Sequence, residues 1–186
     1  MSNSNITDYK IPNNVTSIDF GAFFACSNLP SVIIPDSVTN IDMSAFEKCS
    51  SLTSLEISNR VKSIGGGSFW GTSLTNVVIP DSVTNIGDRA FKNCDRLASV
   101  VIGDNVMSIG NYAFENCHSL TSVEIPNSVM NIDEYAFNEC SNLKEIKFKG
   151  TRNQAITIGI GNRLKKKWRE GSSIKRIICS DGVIEL

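Results

Sequence analysis

The chain contains one histidine, His118, and no pair of cysteines in a Cys-x2-Cys spacing. Zinc sites and nucleophile–base pairs depend on such spacings or on a histidine near a nucleophile, so no metal quartet and no Ser/His/Asp set can be assembled. A glycine-rich phosphate loop is also missing. We therefore expect no enzyme, no metal site and no cofactor.

Long apolar segments and a recognisable leader are missing too. No apolar run approaches the roughly 20 residues of a membrane-spanning helix, so we expect no insertion into a membrane. Residues 1–8 lack the basic and apolar parts of a secretory signal peptide. Two interpretations stay open: the protein remains inside the cell, or its signal peptide has been removed. With 186 residues, 41% of them hydrophobic, the chain suits one domain with a continuous core.

What the chain does contain is a repeat of about 23 residues. Each copy reads Leu-x-x-(Val/Leu)-x-Ile, then Val-x-x-Ile, then (Ala/Ser)-Phe-x-x-Cys. Copies begin at Leu29, Leu52, Leu74, Leu97 and Leu120. Self-similarity at a fixed period predicts a solenoid, a stack of units that mainly contact their neighbours. Solenoids are typically binding surfaces, so this pattern favours a binding protein.

The spacing inside a repeat predicts short strands rather than helices. Leu55 and Ile57 alternate with polar residues, as in a strand that buries one face. Pairs such as Val38 and Ile41 suit a second short strand, because β-branched residues favour strands. We expect a coil of parallel strands about 4.8 Å apart. The phenylalanines should stack as a spine, formed by Phe46, Phe69, Phe91, Phe114 and Phe137.

The repeat boundaries predict three parts of the chain. Residues 1–10 are a lead-in, residues 11–148 a stack of about six rungs, and residues 149–186 a capping segment that ends in a strand. The repeat Leu52–Ser73 is one residue short, and it has a threonine in place of the cysteine and three consecutive glycines. We expect the local irregularity of the stack in that repeat.

Five of the six cysteines share one position of the repeat, which Thr72 takes in the short copy, and Cys179 lies in the cap, where we expect it to be buried. A metal site or a disulfide ladder is the functional interpretation, but equivalent positions on parallel neighbours rarely meet disulfide geometry. Buried packing thiols are the simpler interpretation, since a small packing residue can be replaced by threonine. His118 follows Cys117 where other copies carry serine or aspartate, so we expect a loop histidine at the rim.

The pattern in Leu74–Cys94, Leu-x-x-Val-x-Ile-Pro-x-Ser-Val-x-x-Ile-Gly-x-x-Ala-Phe-x-x-Cys, resembles the BspA-like class of leucine-rich repeats. The match covers about residues 11–148, and segments 148–151 and 177–182 resemble the terminal segment that often closes such arrays. The resemblance implies a leucine-rich-repeat solenoid, a right-handed coil of short parallel strands with few helices and a C-terminal cap. It also implies a cell-surface or secreted protein that adheres to host or cell-surface proteins.

Side chains that point outward from the strands are the candidate partner-binding residues. Ile33, Val78 and Val101 would be exposed apolar residues on the concave sheet. An apolar stripe on a protein surface often marks an interface, whereas plain strand propensity at solvated positions is the alternative. The predicted partner-binding set is Ile33, Glu56, Asn76, Val78, Val101 and Glu124. We expect a protein ligand, with a glycan as the alternative.

Charge divides the chain unevenly. Residues 1–142 contain 7 basic and 15 acidic residues, a balance of −8, and residues 143–186 contain 11 and 4, a balance of +7. We interpret the cluster Arg163–Arg169, with Lys175 and Arg176, as part of a cap on the last rung. Its tryptophan should pack against the apolar end of the stack, while its lysines remain exposed to solvent. Two alternatives stay open: self-assembly between the acidic stack and the basic end, or binding to an anionic surface. Nucleic acid is the least favoured partner, and we expect a monomer or weak self-association.

Overall fold

Each repeat folds into one turn of a coil, in which a strand from the first half of the repeat is followed by a shorter strand from the second half. The computed structural model describes residues 9–161 and 167–186. Residues 1–8 of the expected lead-in lie outside the described residues, as do Arg163, Lys165 and Lys166 of the predicted basic cluster.

The strands from the first halves are three or four residues long. They are β2 (Ser31–Ile33), β4 (Ser54–Glu56), β6 (Asn76–Ile79), β8 (Ser99–Ile102), β10 (Ser122–Ile125) and β12 (Glu145–Phe148). In β6 the side chains of Asn76 and Val78 are exposed and those of Val77 and Ile79 are buried. This alternation is what a strand with one core-facing side produces, so the predicted inward positions are confirmed for β6.

The second halves of the repeats give strands of two residues. They are β1 (Ser17–Ile18), β3 (Asn40–Ile41), β5 (Ser63–Ile64), β7 (Asn85–Ile86), β9 (Ser108–Ile109) and β11 (Asn131–Ile132). They form one six-stranded parallel sheet in that order. The isoleucine of each strand is buried, so this sheet is the opposite wall of the core that the Val-x-x-Ile spacing predicts.

The first wall is divided between two sheets. β2 and β4 pair with each other, whereas β6, β8, β10 and β12 belong to a six-stranded sheet that continues into the C-terminal segment. β4 lies beside β6 without belonging to the same sheet. The division coincides with the short repeat, where one residue instead of two separates Thr72 from Leu74. The irregularity predicted for this repeat is confirmed.

A tight turn leads from each two-residue strand to the next repeat, and it is not helical. Each turn contains two residues with positive φ, such as Ser44 at 55° and Lys48 at 61°. The backbone N–H groups of Ser44, Phe46 and Lys48 donate to carbonyls of the next rung. The N–H of Glu47 lies among them and donates to the Ser44 carbonyl at 3.1 Å. The turn thus satisfies its backbone without a helix, which explains why the sequence has no helical period.

Phenylalanine rings run through the core as a continuous stack. The five predicted rings and Phe23 have neighbouring centroids 4.9 to 5.4 Å apart and ring planes within 11° of parallel. Tyr9 covers the Phe23 end at 5.3 Å, and Trp168 covers the Phe137 end at 6.2 Å. The predicted spine is confirmed, and aromatic rings from outside the repeats close both of its ends.

The C-terminal segment extends the six-stranded sheet and covers the last rung. It contains α1 (Arg152–Thr157), a short 3-10 helix (Lys167–Arg169), β13 (Arg176–Cys179) and β14 (Gly182–Glu185). β13 is parallel to β12, and β14 returns antiparallel to β13. Thr151 caps α1, because its hydroxyl accepts a hydrogen bond from the Gln154 N–H at 3.3 Å. Within residues 9–161 and 167–186, no helix is long and apolar enough to cross a membrane.

Candidate functional site

The outward side chains of β2, β4, β6, β8, β10 and β12 form a surface that we call the strand face. They stand in two rows, because neighbouring strands place equivalent positions opposite each other. The first row is polar and contains Ser31, Ser54, Asn76, Ser99, Ser122 and Glu145. The second row is mixed and contains Ile33, Glu56, Val78, Val101, Glu124 and Lys147.

The break between the sheets separates the predicted partner-binding set into two groups. Ile33 and Glu56 face each other on the two-stranded sheet. The other four residues of the set lie on consecutive strands of the six-stranded sheet. All six side chains are exposed, and four of them are held in one hydrogen-bonded ladder.

Two exposed valines stand next to each other in the second row. Val78 is 63% exposed and Val101 is 54% exposed, and the two residues are paired directly in the parallel ladder. Their chain neighbours Val77 and Val100 are buried, so core packing fixes this part of the sheet from behind. An exposed apolar pair on a rigid sheet suits contact with another molecule.

Side-chain hydrogen bonds order the polar row beside the valines. The Ser99 hydroxyl donates to Oδ1 of Asn76 at 2.6 Å. The Asn76 amide nitrogen donates in turn to the Thr75 hydroxyl at 3.4 Å. These two bonds set the orientation of the amide, so the row presents small polar groups in fixed positions.

Charge is placed asymmetrically around the valine pair. Nζ of Lys149 lies 3.4 Å from Glu124 and donates to Asp104 at 2.6 Å. The hydrogen bond to Asp104 is the main cause that raises the pKa of Lys149, and Glu124 adds to it. Glu56, on the other side of the valines, forms no ion pair with any residue that the structure describes. The valines therefore lie between Glu124, which shares Lys149 with Asp104, and Glu56, which has no ion pair among the described residues.

The strand face continues beyond the predicted set. β13 and β14 place Ile178 opposite Lys147 and Val183 opposite Ile178, and Val183 is exposed. In the polar row Arg176 pairs with Glu145 at 2.6 Å. Sequence reasoning missed this extension, because the segment between β12 and β13 interrupts the repeat period. The available signal was the apolar run Ile177–Cys179, followed after a Ser-Asp-Gly turn by Val183 and Ile184.

The cysteine column is part of the core. All six cysteines are buried and free of disulfide bonds. The thiol of Cys94 donates to the Phe69 carbonyl of the preceding rung at 3.2 Å, and other cysteines of the column repeat this bond. Burial raises the pKa of Cys49 and Cys140 to about 12 and that of Cys94 to about 11. The thiols are therefore protonated at neutral pH, and the predicted packing role is confirmed.

His118 lies at the rim of the stack. Its side chain is exposed, with Nδ1 3.0 Å from the Glu139 carbonyl oxygen of the next rung, whereas Cys117 beside it is buried. The expected position of this histidine in a rim loop is confirmed. In the described ranges, no group of three or more His, Cys, Asp or Glu side chains could hold a metal ion.

The described part of the basic cluster contacts the last rung. Trp168 is buried against Phe137, while the side chain of Lys167 stays exposed and pairs with Glu134 at 3.2 Å. Arg169 donates from Nη1 to a backbone carbonyl at 2.9 Å, and burial lowers its pKa. A buried tryptophan beside a solvent-exposed lysine agrees with the interpretation of these residues as a cap.

Comparison with protein families gives a match along most of the chain. The family described as BspA type leucine rich repeat region matches in six copies, over residues 1–72 and 62–160. No curated protein matches the chain.

Solved structures show the same architecture. A leucine rich repeat protein of T. pallidum is 30% identical over 86% of this chain and 80% of that one, with a TM-score of 0.71. A leucine rich cell surface protein of Faecalibacterium prausnitzii is 33% identical over 83% of this chain and 36% of that one, with a TM-score of 0.61. The pneumococcal vaccine antigen PcpA, at 20% identity over 97% of this chain and 43% of that one, is similar in fold with a TM-score of 0.67. The chain thus spans most of the T. pallidum protein and less than half of the other two.

Proposed function

Because this chain belongs to the BspA-type leucine-rich-repeat family, we propose that it is a non-enzymatic protein-binding module that holds its partner on the strand face. The residues that make the contact are Ile33, Glu56, Asn76, Val78, Val101 and Glu124. The observation that carries the proposal is the paired exposure of Val78 and Val101 in one ladder.

Preorganisation is the mechanism of binding. The backbone of the strand face is fixed by ladder hydrogen bonds and by the buried side chains behind it. A partner meets side chains that are already in place, so little conformational entropy is lost on this side of the interface. Covering the exposed halves of the two valines contributes roughly 2 kcal/mol. Glu56 adds specificity for a basic group at one border of the apolar pair, more than it adds affinity.

The partner we propose is a host or cell-surface protein, bound in adhesion. The F. prausnitzii relative is described as a cell surface protein, which supports a location at the cell surface or outside the cell for this chain as well. A glycan is the alternative ligand, because the polar row offers hydroxyl and amide groups at fixed positions.

Self-association between the acidic stack and the basic end is the second candidate. The charge division favours it, but the first described rung, residues 9–28, contains one acidic residue, Asp19, and one basic residue, Lys10. A neutral rung gains little attraction from a basic cap. Light scattering at low and high salt tests this candidate, and a mass that never changes would contradict it. Binding to an anionic surface ranks third, since Lys167 and Arg176 of the basic cluster are already paired with Glu134 and Glu145.

The test of the leading proposal is a binding screen against purified extracellular-matrix and cell-surface proteins. The wild-type chain is compared with the double variant Val78→Asp/Val101→Asp. The matched control is Met107→Asp/Met130→Asp, which changes two exposed apolar residues on adjacent rungs of the opposite wall. Circular dichroism verifies that each variant is folded.

A ligand that is lost with the valine variant and kept with the methionine variant would support the strand face as the site. A ligand that binds the valine variant as tightly as wild type, and that is released at high salt, would overturn the proposal. The absence of any ligand in the panel would overturn adhesion to these proteins.

A further inference from the structure

A cavity of about 450 Å³ lies on the turn side of the first two rungs, away from the strand face. It is lined by Phe20, Gly21, Phe24, Ser44 and Glu47. These residues come from two successive turns, which inter-rung backbone hydrogen bonds hold side by side. The cavity is therefore a feature of fixed backbone rather than of one loop.

The apolar wall of this cavity is unusual for the stack. Phe20 is 71% exposed, and Phe24 and Met43 are exposed beside it. Met43 takes the position of Phe20 in the second rung, and Gly66, Asp88, Asn111 and Glu134 take it in the later rungs. The large exposed apolar side chains at this position, Phe20 and Met43, thus lie in the first two described rungs, and an exposed apolar surface is often an interaction site.

The floor of the cavity contains a buried carboxylate. Glu47 is 9% exposed, and its Oε1 lies 3.8 Å from Nζ of Lys48, whose side chain is 61% exposed. A long contact to a largely solvated ammonium compensates the burial of a carboxylate only weakly. Among residues 9–161 and 167–186, Glu47 therefore has no close cationic partner.

Lys48 shows which kind of group the cavity accepts. Its ammonium lies 5.3 Å from the centroid of the Phe24 ring as well as near the Glu47 carboxylate. An aromatic face and a carboxylate together attract a cation, and the long stem of a lysine packs on apolar surface while its charge is held. The Lys48 ammonium thus takes the place that we expect a cation of a partner to occupy.

We propose that this cavity binds a basic side chain, a lysine or arginine, of a partner polypeptide. The cation lies between the Phe24 ring and the Glu47 carboxylate, its stem packs on Phe20, and Lys48 is an intramolecular competitor that the partner displaces. The proposal is independent of the strand face and gives the protein a second contact surface on its turn side.

The test is an NMR titration of the ¹⁵N-labelled full chain with Nα-acetyl-lysine amide. The matched probe is Nα-acetyl-norleucine amide, which has a similar stem and no charge. We expect saturable shifts of the backbone amides of Gly21, Ser44 and Glu47 with a millimolar dissociation constant for the lysine probe only. Equal shifts for both probes, or none that saturate, would overturn the proposal.

Substitutions taken from equivalent positions of other rungs sharpen the test. Lys48→Asn removes the competitor and should tighten binding about two- to threefold. It should fold, because Asn93 and Asn116 take the same position with the same positive φ. Glu47→Gln should weaken binding at least about fivefold.

Two further variants complete the design. Phe24→Asn, which introduces the residue that Asn138 supplies in the last rung, should also weaken binding. Glu115→Gln changes the same position three rungs later and should leave binding unchanged. A folded Glu47→Gln variant that binds as wild type, or a Lys48→Asn variant that binds more weakly, would overturn the assignment.

Discussion

The indole ring of Trp168 meets the phenyl ring of Phe137 at an interplanar angle of 89°, with centroids 6.2 Å apart. The rings between Phe23 and Phe137 are all stacked within 11° of parallel, so a perpendicular ring ends the series. Tyr9 ends it at the other side with a tilt of 59°. Perpendicular and tilted contacts are favourable for aromatic pairs, and here they pack a ring against each end of the spine.

We expect Trp168→Ala to lower the free energy of unfolding by about 3 kcal/mol or more, because a large buried ring leaves a cavity. Trp168→Phe should cost less than about 1.5 kcal/mol, since it keeps a ring in place. The buried indole Nε1 has no hydrogen-bond partner in the part of the chain that the structure describes, so its loss removes no bond. Urea unfolding gives the free energy of unfolding of both variants and of wild type. Equal losses would contradict capping through ring packing.

Much of this fold could be predicted, because the repeat sets burial at every rung. Phe46 and its equivalents, the two walls of strands and the column of cysteines all follow from spacing in the sequence. The position of the irregular rung followed from one missing residue before Leu74. The exposure of Val78 and Val101 followed from the period of two along a strand.

Other features could not be predicted, since they depend on contacts between rungs. Arg89 and Tyr112 have positive φ, although neither residue type favours it, because inter-rung hydrogen bonds impose the turn. The cavity beside Glu47 arises from side chains of two turns whose separation in space the sequence does not contain. Lys149 pairs with Asp104 two rungs away, and no pattern in the sequence near either residue indicates this ion pair.

The valines of the strand face should be dispensable for folding. We expect Val78→Asp and Val101→Asp each to change the free energy of unfolding by no more than about 1 kcal/mol, because both side chains are exposed. Val77→Asp should cost about 4 kcal/mol or more, since it buries a charge without a partner. Thermal unfolding followed by circular dichroism compares the three. If Val78→Asp unfolded the chain, lost binding could not be assigned to the strand face.

The folded chain should lose stability at alkaline pH because its buried thiols resist ionisation. The pKa of Cys49 and Cys140 is about 12 in the fold, against an ordinary value of 9.0. Below pH 9 these thiols are protonated in both the folded and the unfolded chain. Their contribution to the free energy of unfolding is therefore fully present in that range. Above it the unfolded chain releases protons that the folded chain keeps, and stability falls as the pH rises toward 12.

Urea unfolding at about pH 8 and at about pH 10.5 measures this loss. The matched variant is Cys49→Thr/Cys140→Thr, because Thr72 already occupies the equivalent position and donates to the Phe69 carbonyl at 3.0 Å. We expect the variant to lose less stability than wild type between the two pH values. An unchanged loss would show that other groups cause the alkaline dependence.

The cost of the left-handed turn can be measured at two equivalent positions, Ala25 with φ 55° and Gly71 with φ 71°. A Cβ on Gly71 would meet only Cγ of Lys48, at 4.0 Å, so Gly71→Ala adds backbone strain without a clash. We expect it to cost about 1 kcal/mol in the free energy of unfolding, and Ala25→Gly to return up to about that amount.

Urea unfolding of the two single variants and of the exchange variant Ala25→Gly/Gly71→Ala gives these values. The exchange should lie near wild type, because the two positions are two rungs apart and do not contact each other, so that their effects add. A Gly71→Ala variant as stable as wild type would mean that the turn adjusts its backbone at no cost. Nine non-glycine residues of the described chain have positive φ. The cost measured at one such position therefore gives the scale of the backbone strain that the inter-rung hydrogen bonds of the turns must offset.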